Sequence, residues 1–269
     1  MFLNCFLFIY TSLNNSVINK KSIQWWNTTG VEICKNTYKN YNNFQWKRNY
    51  CEDYIHGNPF MNIKHKNLKI VKIGLNDGKS VISYVKNGYT VISIEANSKN
   101  INNIMKRPAI RYAIDKKWLM IINRAIVSPF YNKNIATLYK NKKNRQTSLF
   151  LNVEDSKNYK EVYVKTIVCS KVLKLLGAVY YLDINTGKAD EYCIQSLESS
   201  NLPYYISTHN SSHMEVLSKL TYKKFITVSK NSRDYNKLPE YIFKKYDSST
   251  LSNSILKTQN DDVLLYGRQ

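Results

Sequence analysis

Five residues in one short stretch have the types and spacing to bind a nucleotide-like cofactor. Gly74, Asn76, Asp77 and Gly78 form a turn after the apolar run "LKIVKI", and Glu95 ends the next apolar run. Glycines allow a sharp turn and a close approach of the backbone to a ligand. A carboxylate at the end of the second strand can accept both hydroxyls of a ribose. An ordinary turn followed by a surface glutamate is the alternative interpretation.

The surrounding pattern predicts the elements that position these residues. From residue 67 to 230, apolar runs of strand length alternate with helical segments, which favours an α/β domain with a mostly parallel sheet flanked by helices. In such a sheet, ligands bind at the carboxyl ends of the strands, near the point where the strand order reverses. Residues 1–66 are predicted to be an aromatic and polar N-terminal extension, and residues 231–269 a C-terminal tail without clear periodicity.

The glycine pattern distinguishes between two cofactor classes. The third glycine of the dinucleotide-binding fingerprint is missing from "GLNDGKS". S-adenosylmethionine (SAM) fits better, with its methionine part over the turn and its ribose against Glu95. Five scattered cysteines without a CxxC pair indicate neither a metal site nor a disulfide framework, so a reducing compartment is the default.

Several motifs, in order along the chain, resemble the FkbM-type SAM-dependent methyltransferases. These are "VKIGLNDGKSVISYVKNGYTVISIEANS", "NRAIVS", "RQTSL", "VKTIVCSKVLKLLGAVYYLDINTGKADEYCIQSL" and "PYYISTHNSSHMEVLSKLTYKKFITVS". The resemblance covers about residues 65–230. It implies the class I methyltransferase (Rossmann-like) fold and methyl transfer to an oxygen, with sugars and other small molecules as the usual acceptors.

The chain departs from the family pattern where the family has acids on the rim of the site. Lys72 stands at one such position and places a cation near a cofactor that is itself cationic. Three placements are open to it: a pair with Asp77, a pair with Glu95, or a side chain that points away. Asn185 and Gly187 replace an acid pair in an alignment without a gap.

Two residues are candidates for the acceptor side of the site. With one inserted residue, Asp183 recovers the family's aspartate, and His209 stands where the family often has a glutamate. Imidazole titrates near neutrality, so His209 is a candidate base for an acceptor hydroxyl. The alternatives are a turn aspartate and a strand-end histidine with a structural role.

The composition favours a second hypothesis, a catalytically reduced member of the fold that binds nucleic acid or protein. The chain carries 40 Lys and Arg against 19 Asp and Glu, a formal net charge of +21. A protein this basic attracts polyanions, although AT-rich codon usage explains part of the bias. A continuous stripe of lysine and tyrosine would favour strand binding.

No apolar run of the sequence reaches the roughly 18–20 residues that span a bilayer. Residues 1–13 are a candidate targeting segment, and its cleavage would indicate a secreted or lumenal sugar-modifying enzyme. Because no basic residue precedes the apolar run, a buried N-terminal element and a cytoplasmic protein are preferred.

Overall fold

A computed structural model describes residues 60, 63–141, 147–148, 159–186, 189–209, 211–229, 237–245 and 263–268. The chain divides into two compact units, Met1–Asn58 and Pro59–Gln269, and all described residues belong to the second. Nearly all of the predicted N-terminal extension, including the candidate targeting segment, lies outside the described residues. The predicted boundary at residue 66 therefore stays a prediction.

Eleven strands are formed by the described residues. In chain order they are β1 (Lys69–Ile73), β2 (Thr90–Glu95), β3 (Leu119–Asn123), β4 (Ala125–Ile126), β5 (Ile135–Asn141), β6 (Thr147–Ser148), β7 (Tyr159–Ile167), β8 (Tyr181–Ile184), β9 (Tyr205–Thr208), β10 (Tyr222–Val228) and β11 (Val263–Arg268). Seven of these strands build the main sheet, namely β1, β2, β3, β8, β9, β10 and β11. The other four build a smaller sheet.

Strand order in the main sheet identifies the fold. The order is β10-β11-β9-β8-β1-β2-β3, and β11 alone runs antiparallel to its neighbours β9 and β10. The last strand of the chain thus inserts, in reverse direction, between the fifth and sixth strands of this sheet. This is the arrangement of the class I methyltransferase fold, and the predicted α/β class is confirmed.

Seven α-helices connect the described strands. They are α1 (Lys79–Lys86), α2 (Ser98–Ile104), α3 (Pro108–Asp115), α4 (Cys169–Leu176), α5 (Asp190–Gln195), α6 (Met214–Lys219) and α7 (Pro239–Lys245). Short 3-10 turns lie at Ser199–Asn201 and Ser211–His213. Local signals mark the ends of two helices. Asn97 caps α2 by accepting the Lys99 N–H at 3.1 Å, and Gly177 ends α4.

The hydrophobic core is divided by the main sheet into two layers. In β1, Ile70 belongs to the cluster that packs with α1, α2, α3 and α7, whereas Val71 and Ile73 belong to the cluster with α4, α5 and α6. Side chains on a strand alternate between faces, so a nearly continuous apolar run is what a strand covered on both faces requires. Lys72 interrupts that run and is nevertheless only 2% exposed.

The smaller sheet has the order β4-β7-β5-β6. Its main part is the antiparallel pair β5 and β7, with Thr137 opposite Tyr163. Ala136, Leu138 and Val164 form its buried face, and Ala96 packs against their cluster. Because Ala96 follows Glu95 directly, this sheet lies beside the carboxyl end of β2.

The C-terminal segment differs from the prediction. The sequence predicts a tail over residues 231–269, yet 239–245 form α7 and 263–268 form β11, an internal strand of the main sheet. The run "VLLYGR" is short and buried on both faces, with Leu264, Leu265 and Tyr266 each at most 2% exposed. Such a strand shows no alternation, which is the signal on which the prediction depended.

The cysteine pattern also led to an expectation that the structure corrects. Cys169 at the start of α4 and Cys193 in α5 are bonded as a disulfide and are fully buried. Their Cα atoms are 5.0 Å apart, within the range that disulfides require. The spacing in sequence gave no sign of this pair, since helix packing brings the residues together.

Within the ranges described here, no helix is long and apolar enough to cross a membrane.

Candidate functional site

The turn after β1 has the backbone conformation for which its glycines were singled out. Gly74, Asn76 and Gly78 have φ angles of 86°, 49° and 76°, in the region that L-residues other than asparagine and aspartate rarely adopt. A Cβ atom on Gly74 would lie 2.2 Å from the carbonyl oxygen of Asn185, which follows β8. Glycine is therefore required at position 74 by both backbone conformation and space.

Glu95 connects the second strand to this turn. Its Oε2 accepts the backbone N–H of Leu75 at 3.1 Å, and its Oε1 accepts the N–H of Asn97 at 2.8 Å. The side-chain amide of Asn100 donates to Oε2 at 3.0 Å. A carboxylate offers about four acceptor positions, and these contacts use three of them. Half-buried Glu95 is thus held at the rim of the turn with capacity for a further donor.

Three polar side chains around the turn hold its shape. The Asn100 amide also donates to the carbonyl of Asn76 at 3.0 Å, so it bridges the turn and Glu95. Arg107, which is 5% exposed, donates to the carbonyl of Asp77 at 3.0 Å. The Asp77 carboxylate accepts the backbone N–H of Lys79 at 3.0 Å. The turn is therefore preorganised by contacts from α2 and from the start of α3.

Lys72 is paired with none of the partners that the sequence suggested. Its Nζ lies 2.8 Å from Oδ2 of Asp183, and the two side chains are 3% and 11% exposed. The pair is dictated by sheet register, because Lys72 of β1 lies directly opposite Asp183 of β8. The cation that opposed cofactor binding therefore has a carboxylate at contact distance.

Asp183 is the centre of a buried hydrogen-bond network. Tyr84 of α1 donates to its Oδ2 at 2.7 Å and Ser207 of β9 donates to its Oδ1 at 3.1 Å, while Tyr181 donates to the Ser207 hydroxyl at 2.7 Å. Burial, followed by the Asp183 charge, raises the pKa of Tyr84 well above its ordinary value, so its hydroxyl stays protonated. Both oxygens of Asp183 are thus engaged inside the protein.

The other predicted acceptor-side residue lies at the carboxyl end of an internal strand of the main sheet. His209 follows β9 and is half-buried. Its neighbour Thr208 shares a hydrogen bond of 3.0 Å with Nδ1 of the buried His213. Burial lowers the pKa of His213, and the charges of Asp190 and Glu191 oppose that shift.

Asp190 holds the segment that follows β8. Its Oδ1 accepts both the backbone N–H and the hydroxyl of Thr186, at 2.8 and 2.7 Å. Asn185 lies between this contact and β8, and its carbonyl faces Gly74. Gly187, at the other altered position, lies outside the described residues.

The structure thus separates the predicted residues into two groups. The glycine turn and Glu95 come together at the carboxyl ends of β1 and β2, where the strand order reverses on either side of β1. Asp183 lies on β8, inside the buried hydrogen-bond network. Asn100 and Arg107 were missed, because a single asparagine or arginine in a basic, Asn-rich chain carries no distinguishing spacing. Among the described residues, no group of three His, Cys, Asp or Glu side chains could hold a metal ion.

Comparison with known proteins gives structural neighbours only. No family model matches the sequence, and no curated protein matches it. A precorrin-6Y C5,15-methyltransferase from Geobacter metallireducens shares 10% identity at a TM-score of 0.39, over 78% of this chain and 83% of that one. A TehB-like SAM-dependent methyltransferase from Corynebacterium glutamicum shares 7% identity at a TM-score of 0.36, over 90% and 100% of the two chains. An rRNA methylase from Streptococcus thermophilus shares 7% identity at 0.35, over 78% and 92%. These sequence identities and TM-scores are too low to indicate an activity.

Proposed function

We propose that the chain binds S-adenosylmethionine and is a methyltransferase. The observation that carries the proposal is the contact between the Glu95 carboxylate and the N–H of Leu75, at 3.1 Å. It places an acid with unused acceptor capacity at the rim of a glycine turn, at the strand-order reversal where ligands bind in this architecture. These are the two features that a ribose and an amino-acid chain need from one pocket.

The residues present fit that cofactor. Gly74 and Gly78 allow the positive φ angles of the turn, and Asn76 is exposed on the turn, where its amide can meet a polar ligand group. Asp77 completes the predicted set, although its carboxylate already accepts the Lys79 N–H. SAM supplies, when bound, a methyl group activated by the adjacent sulfonium.

Lys72 is one of the departures from the family pattern that oppose an active methyltransferase, and its pairing weakens that argument. Unpaired, a buried lysine would repel a sulfonium, since like charges interact strongly in a medium of low dielectric constant. Paired with Asp183 at 2.8 Å, it contributes a dipole instead of a net charge. Lys72 is therefore compatible with cofactor binding.

The finer assignment is a transfer of the FkbM type to a hydroxyl of a sugar or another small molecule. It is supported by the order of the sequence motifs. We propose His209, half-buried at the carboxyl end of β9, as the candidate base for that hydroxyl. Asp183 is better suited to a positioning role than to the catalytic role predicted from sequence, because its oxygens already contact Lys72, Tyr84 and Ser207.

Calorimetric titration with SAM tests the proposal through Glu95. Glu95→Ala removes the proposed ribose acceptor and is expected to weaken SAM binding at least tenfold, which corresponds to about 1.4 kcal/mol. Glu161→Ala is the matched control, because Glu161 is an exposed glutamate on β7 in the smaller sheet. Equal affinities of the two variants, both shown to be folded by circular dichroism, would place the cofactor elsewhere.

A further inference from the structure

Aromatic side chains are concentrated on the outside of the smaller sheet. Phe130 is 90% exposed and Tyr163 is 69% exposed, while Tyr131 and Ile135 are 37% and 52% exposed. Burial alternates along β5 and β7, so Ile135, Thr137, Tyr139, Glu161, Tyr163 and Lys165 share the face that points away from the core. We call these residues, together with Phe130 and Tyr131 of the segment that leads into β5, the outer face. Exposed aromatic rings grouped in this way mark an interaction surface.

The outer face is held together by its own contacts. Tyr131 donates its hydroxyl to the Ile135 carbonyl at 2.9 Å, and Tyr163 donates to the Glu161 carboxylate at 3.3 Å. These hydrogen bonds fix the phenol ends of two side chains that are 37% and 69% exposed. Ring faces presented in fixed positions are suited to stacking with other planar groups.

Basic residues lie among these rings. Lys165 is opposite Ile135 and two residues from Tyr163, about 7 Å along the strand. Lys133 is exposed in the segment that leads into β5, and its carbonyl is tied to the Thr166 hydroxyl of β7 at 2.8 Å. Among the described residues of the stretch 130–167, four are lysines and one, Glu161, is an acid. Glu161 is the one acid on the outer face, and its carboxylate accepts the hydroxyl of Tyr163.

We propose that the outer face binds single-stranded nucleic acid, with bases stacked on Phe130 and Tyr163 and phosphates near Lys133 and Lys165. Stacking rings interleaved with cations are what an unpaired strand requires, since each base has a free planar face and each phosphate a negative charge. A formal charge of +21 on the chain adds a general attraction to polyanions. A base-paired duplex keeps its bases stacked internally and cannot use the rings.

The smaller sheet lies beside the candidate cofactor site, and its outer face points away from that site. The opposite face of the same sheet packs on Ala96, the residue after Glu95. The proposed surface does not depend on cofactor binding, so the two can be tested separately.

Fluorescence anisotropy with a labelled 12-nucleotide RNA, in the absence of SAM, measures the interaction directly. Tyr163→Ala is expected to weaken binding by about five- to 150-fold, because stacking contributes about 1–3 kcal/mol per base. Tyr163→Phe keeps the ring and should bind within twofold of the wild type. Tyr241→Ala is the matched control, since Tyr241 of α7 is also exposed, at 46%, and lies outside the outer face.

The nature of the ligand is resolved by four further titrations. An RNA duplex should bind at least tenfold more weakly than the single strand, and heparin should show no difference between wild type and Tyr163→Ala. DNA and RNA single strands of one sequence show whether the ribose hydroxyl contributes. Lys165→Gln should reduce the slope of log affinity against log salt concentration by about 0.7.

The proposal is overturned if Tyr163→Ala binds the single strand as the wild type does, or if the duplex binds equally well. It is also overturned if Phe130→Ala and Tyr163→Ala change the oligomeric state, measured by light scattering, without changing RNA affinity. In that case the outer face would contact a second copy of the chain.

Discussion

The buried pair of Lys72 and Asp183 gives the most specific prediction about this fold. Lys72→Met removes the ammonium group and keeps most of the side-chain volume. It leaves the Asp183 carboxylate, only 11% exposed as a side chain, with hydrogen bonds from Tyr84 and Ser207 and no cation. Removing one member of a buried pair costs about 3–5 kcal/mol. Because the two hydroxyl donors remain, we expect a loss near the lower limit, about 3 kcal/mol.

Thermal and urea unfolding measure this loss. For a domain of this size, 1 kcal/mol shifts Tm by about 2–4 °C, so Lys72→Met should lower Tm by about 6–12 °C. Asp183→Asn should be destabilising for the same reason, since it leaves the lysine without its carboxylate. The double variant Lys72→Met with Asp183→Asn should lose clearly less than the sum of the two single losses.

Lys79→Met is the matched control. Lys79 lies 3.7 Å from Asp77, but its side chain is 56% exposed, and exposed pairs contribute about 0–1 kcal/mol. A shift of less than 2 °C for Lys72→Met, or simple additivity in the double variant, would refute the inference that Lys72 is present as the partner of Asp183.

Three further predictions concern other parts of the molecule. Gly74→Ala should weaken SAM binding at least tenfold and destabilise the fold, because its Cβ would lie 2.2 Å from the Asn185 carbonyl. Gly177→Ala should be milder, since Gly177 has a similar φ of 70° and its Cβ would have no atom within 4 Å. Calorimetry and urea unfolding compare the two variants. His213 has a pKa lowered from 6.5 by burial, so the unfolded chain binds the proton more readily and stability should fall as pH drops below about 6.5, a loss that His213→Gln should reduce in urea unfolding across pH. Glu240 of α7 accepts the hydroxyls of Tyr89 and Tyr180 at 2.5 Å, and its pKa is lowered from 4.5 chiefly by these hydrogen bonds, against the opposing effect of burial. Its contribution should therefore be present above about 4.5 and lost as pH falls through the lowered value, and Glu240→Gln should remove this part of the acid sensitivity and expose α7 to limited proteolysis.

The sequence predicted the part of the site that depends on local backbone chemistry. A turn containing Gly74 and Gly78 between two strands predicts a tight loop, and an acid at the end of the second strand must lie at the same edge of a parallel sheet. The contact between Glu95 and Leu75 follows from these two facts.

What the sequence could not provide depends on pairing across the sheet. The partner of Lys72 is fixed by the register between β1 and β8, which lie far apart in sequence. The same holds for β11, whose place between β9 and β10 is decided by pairing, and for the disulfide between Cys169 and Cys193, which is brought together by helix packing. Each of these features depends on contacts between distant parts of the folded chain and could not be predicted from local sequence.

The most direct test of the central claim is a calorimetric titration of the purified chain with SAM and with S-adenosylhomocysteine, at moderate salt. The two ligands differ at the sulfur, which carries a positive charge only in SAM. If Asp183 neutralises Lys72, both should bind with micromolar affinity and within about tenfold of each other, or 1.4 kcal/mol. If neither ligand binds to the folded protein, the proposed cofactor site is contradicted. Binding of S-adenosylhomocysteine alone would show that the Lys72 charge is not compensated.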